Sequence, residues 1–223
     1  GSSDVSSPLV KKCNTLTITD STIYFTYGGT RSGYHIFSSV KKTVTVHNSD
    51  TNDDYTESYD KLVLATGSSP LRPPIPGIDS PRIHTLWTVA DTDLFRSMVY
   101  EQKIKTAVVV GGGFIGLEMA ENLKEAGVDV TILEAMDQVM APLDFEMAQM
   151  LHGEIRDKGI RLELGDPVAS FEDKGDTVVT TLKSGTAVEA ELVVLSIGVR
   201  PNSGIAKDAG LPLNQRGGII VDD

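Results

Sequence analysis

The stretch AVVVGGGFIGLEMAENL, from Ala107 to Leu123, joins a run of apolar strand residues to an amphipathic helix through three consecutive glycines. Glycine weakens regular structure, so glycines gathered at such a junction indicate a place where another group approaches the main chain. Gly111, Gly113 and Gly116 match the pattern G-x-G-x-x-G. Its position after a predicted strand and at the start of a predicted helix makes this pattern informative.

The next predicted strand, VDVTILE, ends at Glu134, 18 residues after Gly116. In a unit of this kind Gly111 permits the tight turn, Gly113 lets the backbone approach a pyrophosphate, and Gly116 lets helix and strand pack closely. The pyrophosphate would lie at the positive end of the helix. The segment therefore predicts a dinucleotide site. The alternative is that the glycines serve only close packing and Glu134 is a solvated strand end, which requires four features to coincide without a ligand.

The carboxylate of Glu134 predicts which dinucleotide is bound. A carboxylate at the end of the second strand can accept hydrogen bonds from the ribose hydroxyls, and it would repel a 2′-phosphate. The following residues, Ala135, Met136 and Asp137, offer no basic side chain to receive such a phosphate. NADH is therefore favoured over NADPH.

The sequence before this unit predicts β-structure. The segments LTIT, TIYFTY, YHIF and KTVTV, between residues 14 and 48, alternate apolar residues with Thr or Ser. YDKLVLATGSSP predicts a buried strand that ends in small residues. LRPPIPGIDSP is too rich in proline for a helix or a central strand, so residues 71–81 are predicted to form a linker between domains.

Helices and strands alternate after the linker. Asp91 and Asp144 are predicted N-caps of two helices, and Gly127 and Gly159 are predicted to end the glycine-loop helix and the helix after it. PVASFED, TVVTTLKSG and TAVEAELVVLSIG predict an antiparallel three-stranded meander. The predicted fold class is α/β: a Rossmann-like parallel sheet with this meander, preceded by a β-rich N-terminal segment.

Composition excludes several classes of partner. Acidic residues outnumber basic ones 31 to 20 in the 223 residues, and the net charge of −11 disfavours nucleic acid and anionic membranes. No apolar run approaches a membrane span, so a cytoplasmic protein is expected. Cys13 is the single cysteine, and the four histidines show no metal-ligand spacing, so we predict no metal site. The leading GSS lacks an initiator Met and indicates a cleaved expression tag.

Three segments, in order, resemble one family. YDKLVLATGSSPLRPPIPGID, VVVGGGFIGLEMAENLKEAGVDVTILEAMDQVMAPLDFEMA and VVLSIGVRPNSGIAKDAGL are similar to the FAD-dependent pyridine nucleotide-disulfide oxidoreductases. The similarity is strongest to the coenzyme A disulfide reductase and NADH oxidase branch, which includes persulfide reductases. The resemblance covers about residues 41 to 223.

The resemblance implies roles for individual residues. An aromatic residue at the position of Phe114 covers the flavin in this family, and a glutamate at the position of Glu118 lies near the nicotinamide pocket; an ordinary solvated helix residue is the alternative for Glu118. Ala65, Thr66 and Gly67 match a segment close to FAD. The residues that the motif assigns to NADH are Gly111, Gly113, Phe114, Ile115, Gly116, Glu134 and Gly198.

Family members pass hydride from NADH to FAD and on through an active cysteine to a substrate such as CoA disulfide, a persulfide or oxygen. They form homodimers through a domain that this chain does not contain. The family's flavin-binding glycine motif does not occur before Gly111, and Cys13 stands outside the family's CG.PYY.GG setting. No catalytic residue is therefore recognised, and FAD binding by this chain is doubtful.

The sequence leaves three functions open. The first is an NADH-binding domain or fragment of such a flavoprotein, which binds NADH without turnover of a disulfide. The second is a non-catalytic dinucleotide-binding or interaction module, and the third is a flavin reductase whose FAD site is completed by another chain. The chain is an excised piece of a longer protein, a truncated or rearranged gene product, or a sequence from which segments have been dropped.

The predicted domain organisation has five parts. They are an unassigned β-rich segment with a tag at its start (1–40), partial FAD-domain strands (41–70), the linker (71–81), the NADH-binding domain (82–213) and the start of a return to the FAD domain (214–223).

Overall fold

The computed structural model describes residues 13–19, 22–27, 35–38, 42–48 and 53–221. The chain divides into two compact units, one of Gly1–Ser69 with Arg200–Asp223 and one of Pro70–Val199. The predicted linker, residues 71–81, lies inside the second unit. The five functional parts expected from the sequence stay a prediction.

The second unit is built on a five-stranded parallel sheet. Its strands are β7 (Ile83–Thr85), β8 (Thr106–Val110), β9 (Asp129–Leu133), β10 (Arg161–Glu163) and β14 (Leu192–Leu195), in the order β10-β9-β8-β14-β7. Its helices are α1 (Val89–Tyr100), α2 (Phe114–Glu125) and α3 (Phe145–Asp157). The predicted Rossmann-like parallel sheet is confirmed.

The two faces of this sheet pack against different layers. Val109 and Ile132 belong to one buried cluster with residues of the three helices, such as Leu123. Val108 and Leu133, their neighbours along the strands, belong to a second cluster formed with the meander. Because both faces are covered, the central strands are continuous apolar runs and do not alternate.

The meander consists of β11 (Val168–Asp173), β12 (Val178–Leu182) and β13 (Ala187–Ala190). The predicted three-stranded antiparallel arrangement is confirmed, but its third segment was drawn too long. TAVEAELVVLSIG divides at Glu191, and the part after it is β14 of the parallel sheet. The carboxylate of Glu191 accepts the backbone N–H groups of Lys105 and Thr106, at 2.5 and 3.1 Å, and so holds the turn against the start of β8.

The helix ends agree with the sequence in most places. Asp144 is the N-cap of α3, and Gly127 and Gly159 follow α2 and α3 with φ of +85° and +71°. The prediction for α1 was wrong, because its N-cap is Thr88. Asp91 occupies the third helical position and completes a capping box with Thr88, whose backbone N–H it accepts at 2.6 Å.

The first unit contains an antiparallel five-stranded sheet in sequential order. Its strands are β1 (Cys13–Thr19), β2 (Thr22–Tyr27), β3 (His35–Ser38), β4 (Thr43–Asn48) and β5 (Asp53–Ser58). The predicted β-rich segment is confirmed for the described residues. The unit also contains a short helix, α4 (Gly204–Asp208).

The buried strand predicted for residues 59–70 was wrong. Only β6 (Ser68–Pro70) is a strand there, paired with β15 (Val199–Pro201). Val63 is 84% exposed, so this apolar run has no covering layer in the described part of the chain. A buried strand needs both a neighbouring strand and a packed face, and residues 59–67 have neither within the described ranges.

Thr180 on β12 is a buried polar residue next to side chains of the second hydrophobic cluster. Its side chain is fully buried, and its hydroxyl has no hydrogen-bond partner among the described residues. An unsatisfied buried hydroxyl costs on the order of 1–3 kcal/mol. We expect Thr180→Val to raise the free energy of unfolding by about 1 kcal/mol, measured by urea denaturation. Thr181→Val is the matched control on a half-exposed neighbour, and destabilisation by Thr180→Val would show that the hydroxyl is satisfied in solution.

Candidate functional site

A cleft of about 560 Å³ opens at the carboxyl ends of β8, β9 and β14. The chain runs from β8 to β9 and β10 on one side, while β14 lies on the other side of β8, so the strand order reverses here. Ligands of open parallel sheets bind at such a point. The residues that line the cleft include Gly111, Gly112, Gly113, Phe114, Ile115, Glu134, Met140, Asp166, Ser196 and Gly198.

Three of the four glycines in this segment are required by the fold itself. Gly111 has φ of +106°, and a Cβ built on it would lie 2.5 Å from the carbonyl oxygen of Ser196. A Cβ on Gly112 would lie 2.7 Å from a methyl carbon of Val139, and one on Gly116 would lie 1.9 Å from the carbonyl oxygen of Gly111. The roles predicted for Gly111 and Gly116, a tight turn and close packing, fit this geometry.

Gly113 is different, because nothing in the chain requires a glycine there. Its φ of −82° is open to any residue, and a Cβ built on it would meet no atom within 4 Å. The bare backbone of Gly113 therefore faces the open cleft. This is the position at which the sequence predicts that a pyrophosphate approaches the main chain.

The helix that begins here has an uncompensated positive end. Gly113 is the N-cap of α2 and provides no side-chain hydrogen bond, and the first turn of α2 carries no acidic residue. By contrast, α1 is closed by its capping box and α3 has Glu146 in its first turn. The first N–H groups of α2 are thus available to an anion in the cleft.

Glu134 lines the same cleft, just after β9. One carboxylate oxygen accepts the backbone N–H of Gly112 at 2.6 Å, and the other accepts that of Met136 at 2.8 Å. A carboxylate offers about four acceptor positions, so two remain for ribose hydroxyls. Sequence reasoning assigned Glu134 to the ligand and missed that it also fixes the glycine loop.

The lining of the cleft carries negative charge. Among the described residues that line it, the charged ones are Glu134 and Asp166. Any phosphate bound in the cleft would therefore depend on backbone N–H groups and the helix dipole. Such a site suits a pyrophosphate at the helix end and disfavours an added phosphate near Glu134.

The other predicted residues have separate positions. Phe114 and Ile115 line the cleft and are 68% and 40% exposed, and Gly198 lines it with φ of +107°. Glu118 is exposed on α2 and is not among the lining residues. The structure thus gathers Gly111, Gly113, Phe114, Ile115, Glu134 and Gly198 at one cleft, with Gly116 behind it.

The segment predicted to lie near FAD belongs to the first unit. Asn202 makes three hydrogen bonds with it. Its side-chain amide donates to the carbonyl oxygen of Thr66 at 3.1 Å, its backbone N–H donates to that of Gly67 at 2.9 Å, and its carbonyl oxygen accepts the hydroxyl of Thr66 at 2.6 Å. Ala65 beside them is exposed. Among the described residues, a second strand–glycine–helix unit that could hold a flavin pyrophosphate is not found.

Sequence reasoning missed two contributors to the cleft. The hydroxyl of Ser196 donates towards the carbonyl oxygens of Val110 and Gly111, at 3.0 and 3.1 Å. Met140 closes the far side, and its backbone N–H donates to the carbonyl oxygen of Gly112 at 2.8 Å. Both residues lie in segments that resemble the family, but the resemblance assigned a role to neither of them.

Neither a metal-ligand cluster nor a membrane-spanning helix is found in the described residues. In the described ranges no group of three or more potential metal ligands comes together. No helix there combines the length and apolarity needed to cross a bilayer.

Two histidines of the second unit have lowered pKa values. Burial is the main cause for both. The charge of Arg156 lowers the pKa of His152 further, and that of Arg72 does so for His84, against weaker opposing effects at His84 from Asp91 and the backbone of Pro81. Both side chains are therefore held neutral in the fold at pH values where exposed histidine, with a pKa of 6.5, begins to protonate.

These shifts predict that the protein is less stable in mild acid. The unfolded chain binds more protons below pH 6.5 than the folded chain does, so lowering the pH favours unfolding. We expect the melting temperature to fall by about 5 °C between pH 7.5 and 5.5, and His152→Gln to reduce that fall. Comparison of the two proteins separates His152 from the decreasing net charge, and equal slopes would contradict the assignment.

The parallel sheet and its glycine-rich cleft define a Rossmann-type nucleotide-binding fold. The chain belongs to the pyridine nucleotide-disulphide oxidoreductase family, whose model matches residues 25–223. This result confirms the resemblance drawn from the sequence. The family uses a pyridine nucleotide and FAD.

Three curated relatives show the range of the family. The epsilon subunit of NADH-dependent phenylglyoxylate dehydrogenase from Aromatoleum evansii is 40% identical over 166 residues, which are 74% of this chain and 38% of the relative. NADH oxidase from Enterococcus faecalis is 37% identical over 169 residues, 75% of this chain and 37% of that protein. Coenzyme A disulfide reductase from Staphylococcus haemolyticus is 32% identical over 182 residues, 82% and 40%. The chain thus spans about two fifths of these relatives.

Two of the similar solved structures match about four fifths of this chain. Reduced CoADR-RHD from Bacillus anthracis is 43% identical with a TM-score of 0.75, over 81% of this chain and 32% of that one. The water-forming NADH oxidase from Lactobacillus brevis bound to NADH is 36% identical with a TM-score of 0.72, over 82% and 40%.

Proposed function

We propose that this chain is the NADH-binding part of a flavoprotein disulfide oxidoreductase of the coenzyme A disulfide reductase or NADH oxidase type. The observation that carries the proposal is the open space beside Gly113. The fold does not need a glycine there, whereas the close approach of a dinucleotide pyrophosphate to the main chain does. The uncapped end of α2 adds N–H donors at the same point.

We expect different residues of the cleft to bind different parts of NADH. Gly113 and the first turn of α2 hold the pyrophosphate, and Glu134 accepts the ribose hydroxyls of the adenosine half. By this proposal the nicotinamide half extends along the cleft past Phe114, Ile115 and Gly198, which line it. Their exposed apolar surface would exclude water from the ring and orient it.

NADH is preferred to NADPH because of charge. Glu134 and Asp166 would repel a 2′-phosphate, and the described lining residues offer it no basic partner. A solved relative is bound to NADH, and an engineered water-forming NADPH oxidase, 35% identical, is bound to NADPH. The second structure is a mutant of the first protein, so substitutions within this fold can change which cofactor is bound.

In the longer protein, bound FAD would take hydride from the nicotinamide and pass electrons onward. The terminal acceptor is of the class used by the relatives: a disulfide such as CoA disulfide, a persulfide or oxygen. By this proposal the longer protein is a cytoplasmic homodimeric enzyme, and the present chain contributes nicotinamide binding. A non-catalytic dinucleotide-binding module is the alternative, since the described residues contain neither a redox cysteine in the family setting nor a flavin phosphate loop.

The proposal is tested by titration of the purified chain with NADH, followed by nicotinamide fluorescence, with NADPH in parallel. Saturable binding of NADH that is at least about tenfold tighter than that of NADPH supports it. Absence of NADH binding would refute it. The visible absorption spectrum, recorded beside the intact mass, decides between the alternatives: flavin bands with NADH oxidation indicate a complete enzyme, and a colourless NADH-binding protein indicates the module.

A further inference from the structure

One buried polar side chain of the second unit has no place in the site described above. His152 lies on α3 and is 1% exposed. Its Nε2 accepts the backbone N–H of Val139 at 3.1 Å. The imidazole is therefore neutral with its proton on Nδ1, and it reaches from the helix into the loop that follows Glu134.

That loop contacts the glycine loop directly. Val139 is fully buried, and its side chain occupies the space into which a Cβ on Gly112 would project. The next residue, Met140, donates its backbone N–H to the carbonyl oxygen of Gly112 at 2.8 Å. The N–H of Gly112 donates in turn to Glu134 at 2.6 Å. A continuous path of contacts thus joins His152 to the ribose-binding carboxylate.

Met140 is the residue of this path with an unfavourable backbone conformation. Its φ of +49° lies in the left-handed region, which a non-glycine residue occupies only when its surroundings hold it there. Two hydrogen bonds hold the backbone here. The N–H of Met140 donates to the carbonyl oxygen of Gly112, and the N–H of Val139 donates to Nε2 of His152. The carbonyl oxygen of Met140 also accepts the N–H of Leu143 at 2.8 Å. Without the acceptor on His152, the N–H of Val139 would be buried without a partner.

We propose that His152 is a positioning residue for the dinucleotide cleft. It holds the loop from Met136 to Leu143 in the conformation that places Met140 against Gly112 and thereby sets the glycine loop relative to Glu134. The role rests on the proposed function of the cleft, and it is not catalytic, because His152 is not among the residues that line the cleft. What the site requires is an acceptor at the position of Nε2.

The test compares His152→Gln, which keeps an acceptor on a side chain of similar length, with His152→Leu, which removes it. Ile155→Val, on the same helix, is the control for a general loss of packing, and His152→Met replaces the leucine variant if that does not fold. Amide hydrogen exchange of the full chain without ligand measures the loop. Titration with ADP-ribose, which lacks the nicotinamide, measures the half of the cleft that His152 positions.

In the leucine variant we expect exchange at Val139 and Met140 to accelerate about tenfold, and the dissociation constant of ADP-ribose to rise by about fivefold or more. The glutamine and Ile155→Val proteins should stay within about twofold of the wild type in both measurements. Unchanged exchange in the leucine variant overturns the proposal, and so does faster exchange with unchanged ADP-ribose affinity.

Failure of the proposed function gives a different result. If the wild-type chain binds neither NADH nor ADP-ribose, the cleft is not a dinucleotide site, and a cofactor role for His152 is wrong even where exchange shows that it holds the loop. If the wild-type and leucine proteins bind ADP-ribose equally well, the function stands and the role of His152 alone is refuted.

Discussion

Replacing Gly116 with alanine should destabilise the second unit by about 2 kcal/mol and abolish NADH binding, whereas Gly113→Ala should weaken binding at least about tenfold with little change in stability. The two glycines belong to one motif and lie three residues apart. The structure separates the two positions: a Cβ on Gly116 would clash within the fold, and one on Gly113 would meet open space, where we propose that the ligand lies.

The effect at Gly116 comes from backbone crowding. A Cβ there would lie 1.9 Å from the carbonyl oxygen of Gly111 and 2.7 Å from the hydroxyl oxygen of Ser196, so α2 must move away from the glycine loop. Overpacking of this kind costs about 1–3 kcal/mol, and the higher helix propensity of alanine offsets up to about 1 kcal/mol. Displacement of α2 would also misplace the N–H groups that face the pyrophosphate.

At Gly113 the two effects on stability are small and opposed. Alanine is a poorer N-cap than glycine, but it also reduces the entropy of the unfolded chain, so the net change should stay below about 1 kcal/mol. The added methyl group would project into open space, where the proposed pyrophosphate approaches. Gly153→Ala, on the exposed face of α3, is the matched control and should leave binding unchanged.

Urea denaturation and NADH titration of the three variants measure the two quantities separately. The assignment fails if Gly113→Ala binds NADH as the wild type does, because the open space would then not be the ligand's. A Gly116→Ala protein with normal stability would show that α2 can shift without cost.

The central unit could be predicted from the sequence because its signals are local. The strand, glycine loop, helix and acidic strand end follow one another between residues 106 and 134, and each has its own residue pattern. Gly127 and Gly159 ended their helices as predicted because the left-handed conformation favours glycine strongly. Where one physical effect dominates a position, sequence is sufficient.

One error was local, and the others arose where distant contacts decide. Asp91 was placed at the start of α1, but Thr88 caps that helix and Asp91 answers it from the third helical position, a capping box that the motif T-x-x-D does signal. The division at Glu191 depends on backbone N–H groups more than 80 residues away in the chain, which no local pattern contains. The apolar run around Val63 looks like a buried strand, yet burial depends on partners and not on composition.

Only some of the residues that form the cleft could be predicted from the sequence, for the same reason. Glycines and a carboxylate with a known spacing identify the ligand-facing wall. Met140, Ser196 and His152 act through one or two hydrogen bonds to the glycine loop or to the segments beside it, and such bonds leave no pattern in the sequence.

Replacing Glu134 with alanine should raise the dissociation constant of NADH by about 10- to 100-fold and that of NADPH by much less. The carboxylate would be lost as an acceptor for the ribose hydroxyls of NADH, and its repulsion of a 2′-phosphate would disappear. Glu134 also accepts the N–H groups of Gly112 and Met136, so the variant will loosen the glycine loop as well.

Loosening of the loop should weaken both dinucleotides equally, because both present the same pyrophosphate to α2. The informative quantity is therefore the ratio of the NADPH and NADH dissociation constants, measured by fluorescence titration at one ionic strength. We expect Glu134→Ala to lower this ratio at least about tenfold. Asp137→Ala removes a nearby exposed carboxylate and should leave the ratio almost unchanged. If Glu134→Ala weakens both cofactors by the same factor, the carboxylate only supports the loop, and its assignment to the ribose is wrong.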